Sequence, residues 1–275
     1  MKTFSVTEDT NLKDFTDSTY PQGSFCFPAL LRGKDIKVNG VRTGKNIPLK
    51  RGDEVVYYTT AKQECKPSHA IVYDDENILI AEKYSGVSSE GLYSELSSKC
   101  ECYAVHRLDR NTQGLIMYAK TREAESELMK AFKERKIEKT YIALCKNAFK
   151  KREAILTAYL KKDEIKGLVK ISEAPESNAE RIITEYRVER DLGDIALVKI
   201  TLHTGKTHQI RAHMAFSGCP VLGDEKYGDR QLNVKYNAKR QRLIAKYLKF
   251  NLDGRLSYLN GKKIESTFNF DKQFT

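Results

Sequence analysis

The sequence predicts an α+β protein built on one large, mixed but mainly antiparallel sheet with flanking helices. Three observations carry that expectation. Strand-like apolar runs dominate the chain, helical periodicity interrupts them only locally, and no strand–helix–strand rhythm is sustained. A small α+β unit over residues 1–62 is expected to precede a larger one over residues 68–275.

In the first unit, "GKDIKVNGVRTGKNIPLKRGDEVVYY" holds two short β-like runs around Asn39-Gly40, a strong hairpin signal. Lys50-Arg51-Gly52-Asp53 supplies a second turn before the strand-like Glu54–Tyr58. A link over residues 61–68 follows. "AIVYDDENILIAEK" reads as strand, turn, strand: Ile71–Tyr73, the Asp74-Asp75-Glu76-Asn77 turn, and Ile78–Ala81. Thr121 is the expected N-cap of the helix "REAESELMKAFKER", whose Ala124, Leu128 and Phe132 form an apolar stripe. Lys139–Cys145, "RIITEYRVER" and "IALVKITLH" read as strands, and the polar segment over residues 166–180 reads as a surface excursion.

With 275 residues, 40% hydrophobic and 31% charged, the chain has ample material for a core. No apolar stretch approaches the roughly 18–20 residues that span a bilayer, and "MKTFSVTEDTNLKDF" lacks the apolar region of a secretory signal. A cytoplasmic protein with no membrane partner is expected. Six cysteines are scattered without C-x-x-C spacing, so free thiols and no metal site are expected. The net charge of +11 favours a polyanionic partner, nucleic acid being the commonest. Part of that excess falls in Lys226–Lys249, where basic residues alternate with tyrosines; a phosphate-tracking surface and a solvated helix face explain it equally well.

Several motifs fail on spacing. "TGKT" at Thr204–Thr207 lacks the upstream glycine of a phosphate-binding loop, the position being Ile200. His203, His208 and His213 recur every five residues, on neither a helical nor a strand face, without the motif of a zinc deaminase. "GVSSE" misses the serine-hydrolase elbow at Glu90.

Three segments remain: "AVHRLDRNTQGLIMYAK" (Ala104–Lys120), "RKIEKTYIAL" (Arg135–Leu144) and "LHTGKTHQIRAHMAFSGCPVLGDEKYG" (Leu202–Gly228). An aspartate between Arg107 and Arg110 in sequence suits a nucleophile, a base or one half of a salt bridge. The motifs H-R-L-D-x-x-T-x-G-L, T-G-[RK]-T-H-Q-I-R and G-D-x-x-Y-G closely resemble the RluA-type pseudouridine synthases, in family order. Weaker similarity runs from Ser68 to the C-terminus. The chain departs from the family at Lys83-Tyr84, where a Lys-Pro pair is usual. Within residues 1–62, the pattern "GKDIKVNGVRTGKNIPLKRGDEVVYY" resembles the C-terminal half of the small RNA-binding domain shared by a ribosomal small-subunit protein and many RNA-modifying enzymes, although "YPQGSFCFPALL", where that domain's preceding helices usually carry a basic cluster, has none.

The resemblance implies the pseudouridine synthase fold and an enzyme that detaches uracil from ribose, turns it and rejoins it through carbon, without a cofactor. It makes Asp109 the nucleophile, attacking sugar or ring. Arg211 is its basic partner, expected to grip it with a bidentate fork. Tyr141 is the residue that stacks on the uracil, with a hydroxyl placed to help move the ring proton. Ile210 and Leu108 close an apolar wall, and His106 and Arg107 are the candidates to fill the space left by the extruded base or to hold the displaced strand. The implied partner is ribosomal or transfer RNA, and the chain is expected to act as a monomer. The other readings are a non-catalytic RNA-binding or ribosome-assembly factor on the same fold, and an enzyme that cleaves the glycosidic bond without rejoining it.

Overall fold

The computed structural model describes residues 1–20, 23–59, 67–163 and 167–270, with the side chains of residues 23–26 left aside. The link expected over residues 61–68 lies largely outside the described residues.

The N-terminal part runs β1 (Lys2–Ser5), β2 (Thr10–Asn11), α1 (Leu12–Thr19), α2 (Gly23–Gly33), β3 (Ile36–Val38), β4 (Val41–Thr43), β5 (Pro48–Leu49) and β6 (Glu54–Tyr57). Its sheet has the order β1-β6-β3-β4 with antiparallel neighbours. Asn39 and Gly40 adopt φ of 48° and 81°, as a tight hairpin demands. The Asn39 side chain then reaches Asp53 and the Glu54 amide, which joins this hairpin to the second turn. Leu12, Phe15, Ile36, Val55 and Tyr57 fill a core separate from the rest.

The larger part continues with β7 (His69–Asp74), β8 (Ile78–Lys83), α3 (Ser89–Ser97), β9 (Tyr103–Ala104), β10 (Gln113–Ala119), α4 (Arg122–Lys133), β11 (Ile137–Lys146), β12 (Glu153–Asp163), β13 (Leu168–Ser172), β14 (Glu180–Asp191) and β15 (Ile195–Leu202). Then come α5 (Gln209–Phe216), α6 (Arg230–Lys235), β16 (Leu243–Phe250), a 3-10 turn (Gly254–Leu259) and β17 (Lys263–Glu265). Eleven strands form one sheet, in the order β13-β12-β14-β15-β11-β16-β10-β8-β7, with β9 and β17 at the side of β10 and β16. Among the described pairings only β10 with β16 is parallel.

The apolar runs of β8 and β10 are continuous because both of their faces are covered. Leu79, Ala81, Ile116 and Tyr118 meet Leu92 and Leu96 of α3 and Met214 of α5 on one side. Ile78, Ile80, Leu115 and Met117 meet Ala124 and Leu128 of α4 on the other. Thr121 caps α4 as expected, its hydroxyl accepting from the Ala124 amide.

Two expectations are corrected. The polar excursion contains β13, which pairs antiparallel with β12 from Leu168 to Ser172 and buries Val169 and Ile171. Its alternation is confined to five residues, so flanking charge hid it. The basic stretch Lys226–Lys249 is not one helix face. It runs through α6, the loop after it and β16, and some of its cations serve the fold. Lys246 is buried and donates to the Phe268 carbonyl, while Lys249 pairs with Glu138 at 3.8 Å.

Candidate active site

The loop from Val105 to Thr112 enters β10, and its backbone is tied down at nearly every turn. Ser89, at the start of α3, donates its hydroxyl to the Leu108 carbonyl at 2.7 Å and accepts from the Leu108 amide at 2.9 Å. The wholly buried Lys83 ammonium donates to the carbonyls of Val87 and Arg110 at 2.8 and 3.1 Å. The Thr112 amide donates to the Asp109 carbonyl, and Gln241 donates to the Thr112 hydroxyl at 2.8 Å. Bonds on both sides of Asp109 leave its side chain little freedom.

Gly114 explains the glycine that follows. It has φ +109°, and a Cβ there would lie 2.3 Å from the Ala245 carbonyl oxygen, so only glycine admits the parallel approach of β16. That approach brings Gln241 and Leu243 beside the loop.

Asp109 meets Arg211, which projects from α5 and donates Nη1–H to the carboxylate at 2.9 Å. The expected bidentate grip on Asp109 is corrected. Arg211 directs its fork at Asp224, with Nε at 2.6 Å and Nη2 at 3.0 Å, and gives Asp109 one bond. Asp224 is the better-placed receptor because the turn around it is rigid: the amides of Lys226 and Tyr227 also donate to its carboxylate. A Cβ at Gly228 would sit 2.2 Å from the Asp224 carbonyl oxygen, which accounts for the last glycine of G-D-x-x-Y-G. Burial alone would raise the Asp224 carboxyl, but Arg211 and the two amides hold it below the usual range. Of the arginines flanking Asp109 in sequence, Arg107 reaches Glu90 at 3.1 Å, and the backbone carbonyl of Arg110 accepts from Lys83.

The T-G-K-T-H-Q-I-R segment is the other wall. Gln209 accepts from the Thr204 hydroxyl and the Lys206 amide and donates to the Ile183 carbonyl and the Thr184 hydroxyl. It thereby pins the turn ahead of α5 against β14. His208 adopts φ 55°, with Nδ1 at 3.0 Å from the Tyr227 hydroxyl.

Between these walls lies a cleft of about 440 Å³, within the usual range for small-ligand sites. Asp109, Tyr141, Arg211, His106, Arg107, Leu108 and Ile210 all line it, although more than a hundred residues separate its first and last members. Leu108, Ile210 and Tyr141 are buried and Arg107 is exposed. Burial first, and Asp109 second, push the Tyr141 phenol well above its ordinary value. His106 faces the cleft but is anchored: its Nε2 accepts from the Met117 amide at 2.9 Å. Burial, aided by the Lys139 charge, lowers it to about 3, so the ring is neutral with its proton on Nδ1.

The family described as RNA pseudouridylate synthase matches residues 65–216, more than half of the chain. The chain belongs to that family. It is 30% identical over 235 residues to the ribosomal large subunit pseudouridine synthase C of Rickettsia bellii, covering 74% of this chain and 77% of the relative. Against the protein of that description in Vibrio parahaemolyticus, identity is 28% over 230 residues, 74% and 72% of the two chains. The human RNA pseudouridylate synthase domain containing 1 superposes with a TM-score of 0.58 at 23% identity, over 74% of this chain and 92% of that one, a likeness of fold. As a pseudouridine synthase this chain isomerises uridine in RNA, breaking the N1–C1′ glycosidic bond and forming a C5–C1′ bond.

Residue reasoning missed Asp224, Ser89 and Gln241. Asp224 stood in plain view within G-D-x-x-Y-G. Ser89 and Gln241 carry no local signal, since their partners lie 19 and 129 positions away.

Proposed function

We propose that this synthase modifies ribosomal RNA of the large subunit, in the cytoplasm, with Asp109 as its nucleophile. The substrate reading rests on the description shared by its relatives. The role of Asp109 rests on one observation: its carboxylate, bonded to Arg211, opens into the cleft that Tyr141 lines.

In this reading the cleft receives a uracil extruded from the RNA. Tyr141 stacks on the ring while Leu108 and Ile210 exclude water around it. Arg211 orients Asp109, and Asp224 orients Arg211, so that the attacking oxygen meets the ring or the anomeric carbon at a fixed angle. The Tyr141 phenol stays protonated until another group takes its proton, so it acts in a relay rather than as a free phenolate. Extrusion removes a few kcal/mol of stacking, and the exposed Arg107, held at the surface only by its pair with Glu90, is the group that moves into the vacated space; an Arg107→Ala enzyme with full activity on structured RNA would rule this out. Residues 1–62 are the RNA-binding-like unit, and residues 68–275 the catalytic one.

The test is a chemical map of pseudouridines in total cellular RNA, comparing cells that carry the protein with cells that carry Asp109→Asn. Sites in large-subunit ribosomal RNA vanish with the substitution if the proposal holds. Loss confined to transfer RNA would overturn the substrate assignment, and an unchanged map the role of Asp109.

A further inference from the structure

Beside the cleft runs a second groove of about 600 Å³, walled in part by Lys133, Arg135, Lys139 and Lys206. Lys133 and Lys139 border both spaces, so the groove leads directly out of the cleft. The carboxylates nearby are engaged: Glu138 with Lys249, Glu185 with His203 at 2.8 Å, and Glu180 with Lys206. Among the described residues, Lys133, Arg135 and Lys139 have no carboxylate partner.

Lys139 is the unusual member. Its ammonium is largely covered, 5.2 Å from the centre of the Phe132 ring, and close to Gly205, where a Cβ would lie 3.0 Å from Nζ. Burial lowers its pKa. A half-buried cation facing a groove without a counter-ion is unfavourable unless an anion visits it. Its position identifies the anion. Lys139 precedes Tyr141 by two residues on β11, whose register with β15 is regular from Lys139 to Lys146, so both side chains leave the same face. Two residues of strand span about 7 Å, comparable with the reach from a nucleobase across its ribose to the backbone.

We propose that Lys139, with Lys133 and Arg135 at the rim, binds the RNA phosphodiester next to the extruded uridine, forming a backbone subsite continuous with the base pocket. This rests on the cleft being the uridine site. Lys139 fixes how deeply the nucleotide enters, and the two rim cations guide the adjoining strand away. Gly205 leaves room for the Lys139 ammonium to swing towards the phosphate.

The test measures binding of the full chain to a fluorescein-labelled oligouridylate of about twelve nucleotides over a series of potassium chloride concentrations. Each single-strand phosphate contact contributes about 0.7 to the slope of log affinity against log salt. Lys139→Gln is expected to lower the slope by about that amount, Lys139→Arg to restore it, and Lys133→Gln with Arg135→Gln to lower it further. In turnover of an unmodified large-subunit ribosomal RNA transcript, Lys139→Gln should raise KM more than it lowers kcat. A wild-type slope in Lys139→Gln overturns the subsite, as does failure of Lys139→Arg to restore it. Wild-type protein that makes no pseudouridine in the transcript counts instead against the ribosomal substrate, and leaves the slope to decide the subsite.

Discussion

Asp224 receives two hydrogen bonds from Arg211, at 2.6 and 3.0 Å, while Asp109 receives one. The more buried carboxylate, 0% exposed against 19%, therefore holds the arginine, and the arginine presents a single N–H to the cleft. Removing one partner of a buried pair strands the other charge, which costs about 3 kcal/mol or more. Asp224→Asn is expected to lose that stability and, because Arg211 loses its aim, to lower kcat/KM at least about a hundredfold. Urea unfolding and single-turnover assays check both; a variant with wild-type kcat/KM contradicts the orienting role.

Gly114→Ala tests the parallel contact that closes the sheet beside the loop. With φ +109° and a Cβ 2.3 Å from the Ala245 oxygen, the change combines backbone strain with a clash. Destabilisation of about 3 kcal/mol is expected, with activity falling further than stability because Gln241 moves away from Thr112. A thermal scan with an activity assay below the transition reads the two effects apart.

Burial pushes the Lys83 ammonium from 10.5 down to about 7, with Asp109 pulling it back up. Between those two values the unfolded chain binds the extra proton, so this group makes stability rise as pH increases from about 7 towards 10.5. Lys83→Met is less stable throughout, because it abandons three carbonyl acceptors. The diagnostic is the difference in slope: the gap between wild type and variant should widen with pH across that window. A gap that stays constant contradicts the shift.

Two histidines, the half-buried His106 and the buried His213, act in the acid range. His106 lies near 3 and His213 near 4, both lowered from 6.5 by burial. The unfolded chain protonates first, so stability is fully present above about 6.5 and falls as pH drops towards these values. Urea midpoints from neutral to acid pH follow that fall. By NMR, the ring protons of His106 should show no titration midpoint near 6.5; finding one would free His106 from the Met117 amide.

How much of this was legible in the sequence depends on distance along the chain. The Asn39-Gly40 hairpin, the Asp75 turn and the Thr121 cap are local decisions, and the residues state them. Tyr141 and Arg211 joined Asp109 only through resemblance to a family, since nothing local says that residues 109 and 211 touch. The orientation of the Arg211 fork was missed because it depends on which carboxylate is the more buried, a property of the assembled turn at Gly223–Gly228. The same limit hid β13, whose pairing with β12 outweighs its polar neighbours, and the basic stretch near the C-terminus, where Lys246 turns inward at the bulge opposite Thr140 and Tyr141.

Whether Asp109 carries the chemistry is read out by a single-turnover assay. Purified wild-type and Asp109→Asn proteins are mixed in excess with an unmodified large-subunit ribosomal RNA transcript, and pseudouridine is counted by mass spectrometry after a single turnover. Asp109→Asn is expected to bind the transcript with an affinity within about threefold of wild type, since one carboxylate adds little to phosphate-dominated binding, and to form no pseudouridine. Pseudouridine formed by Asp109→Asn at a rate near that of wild type would contradict the role of Asp109.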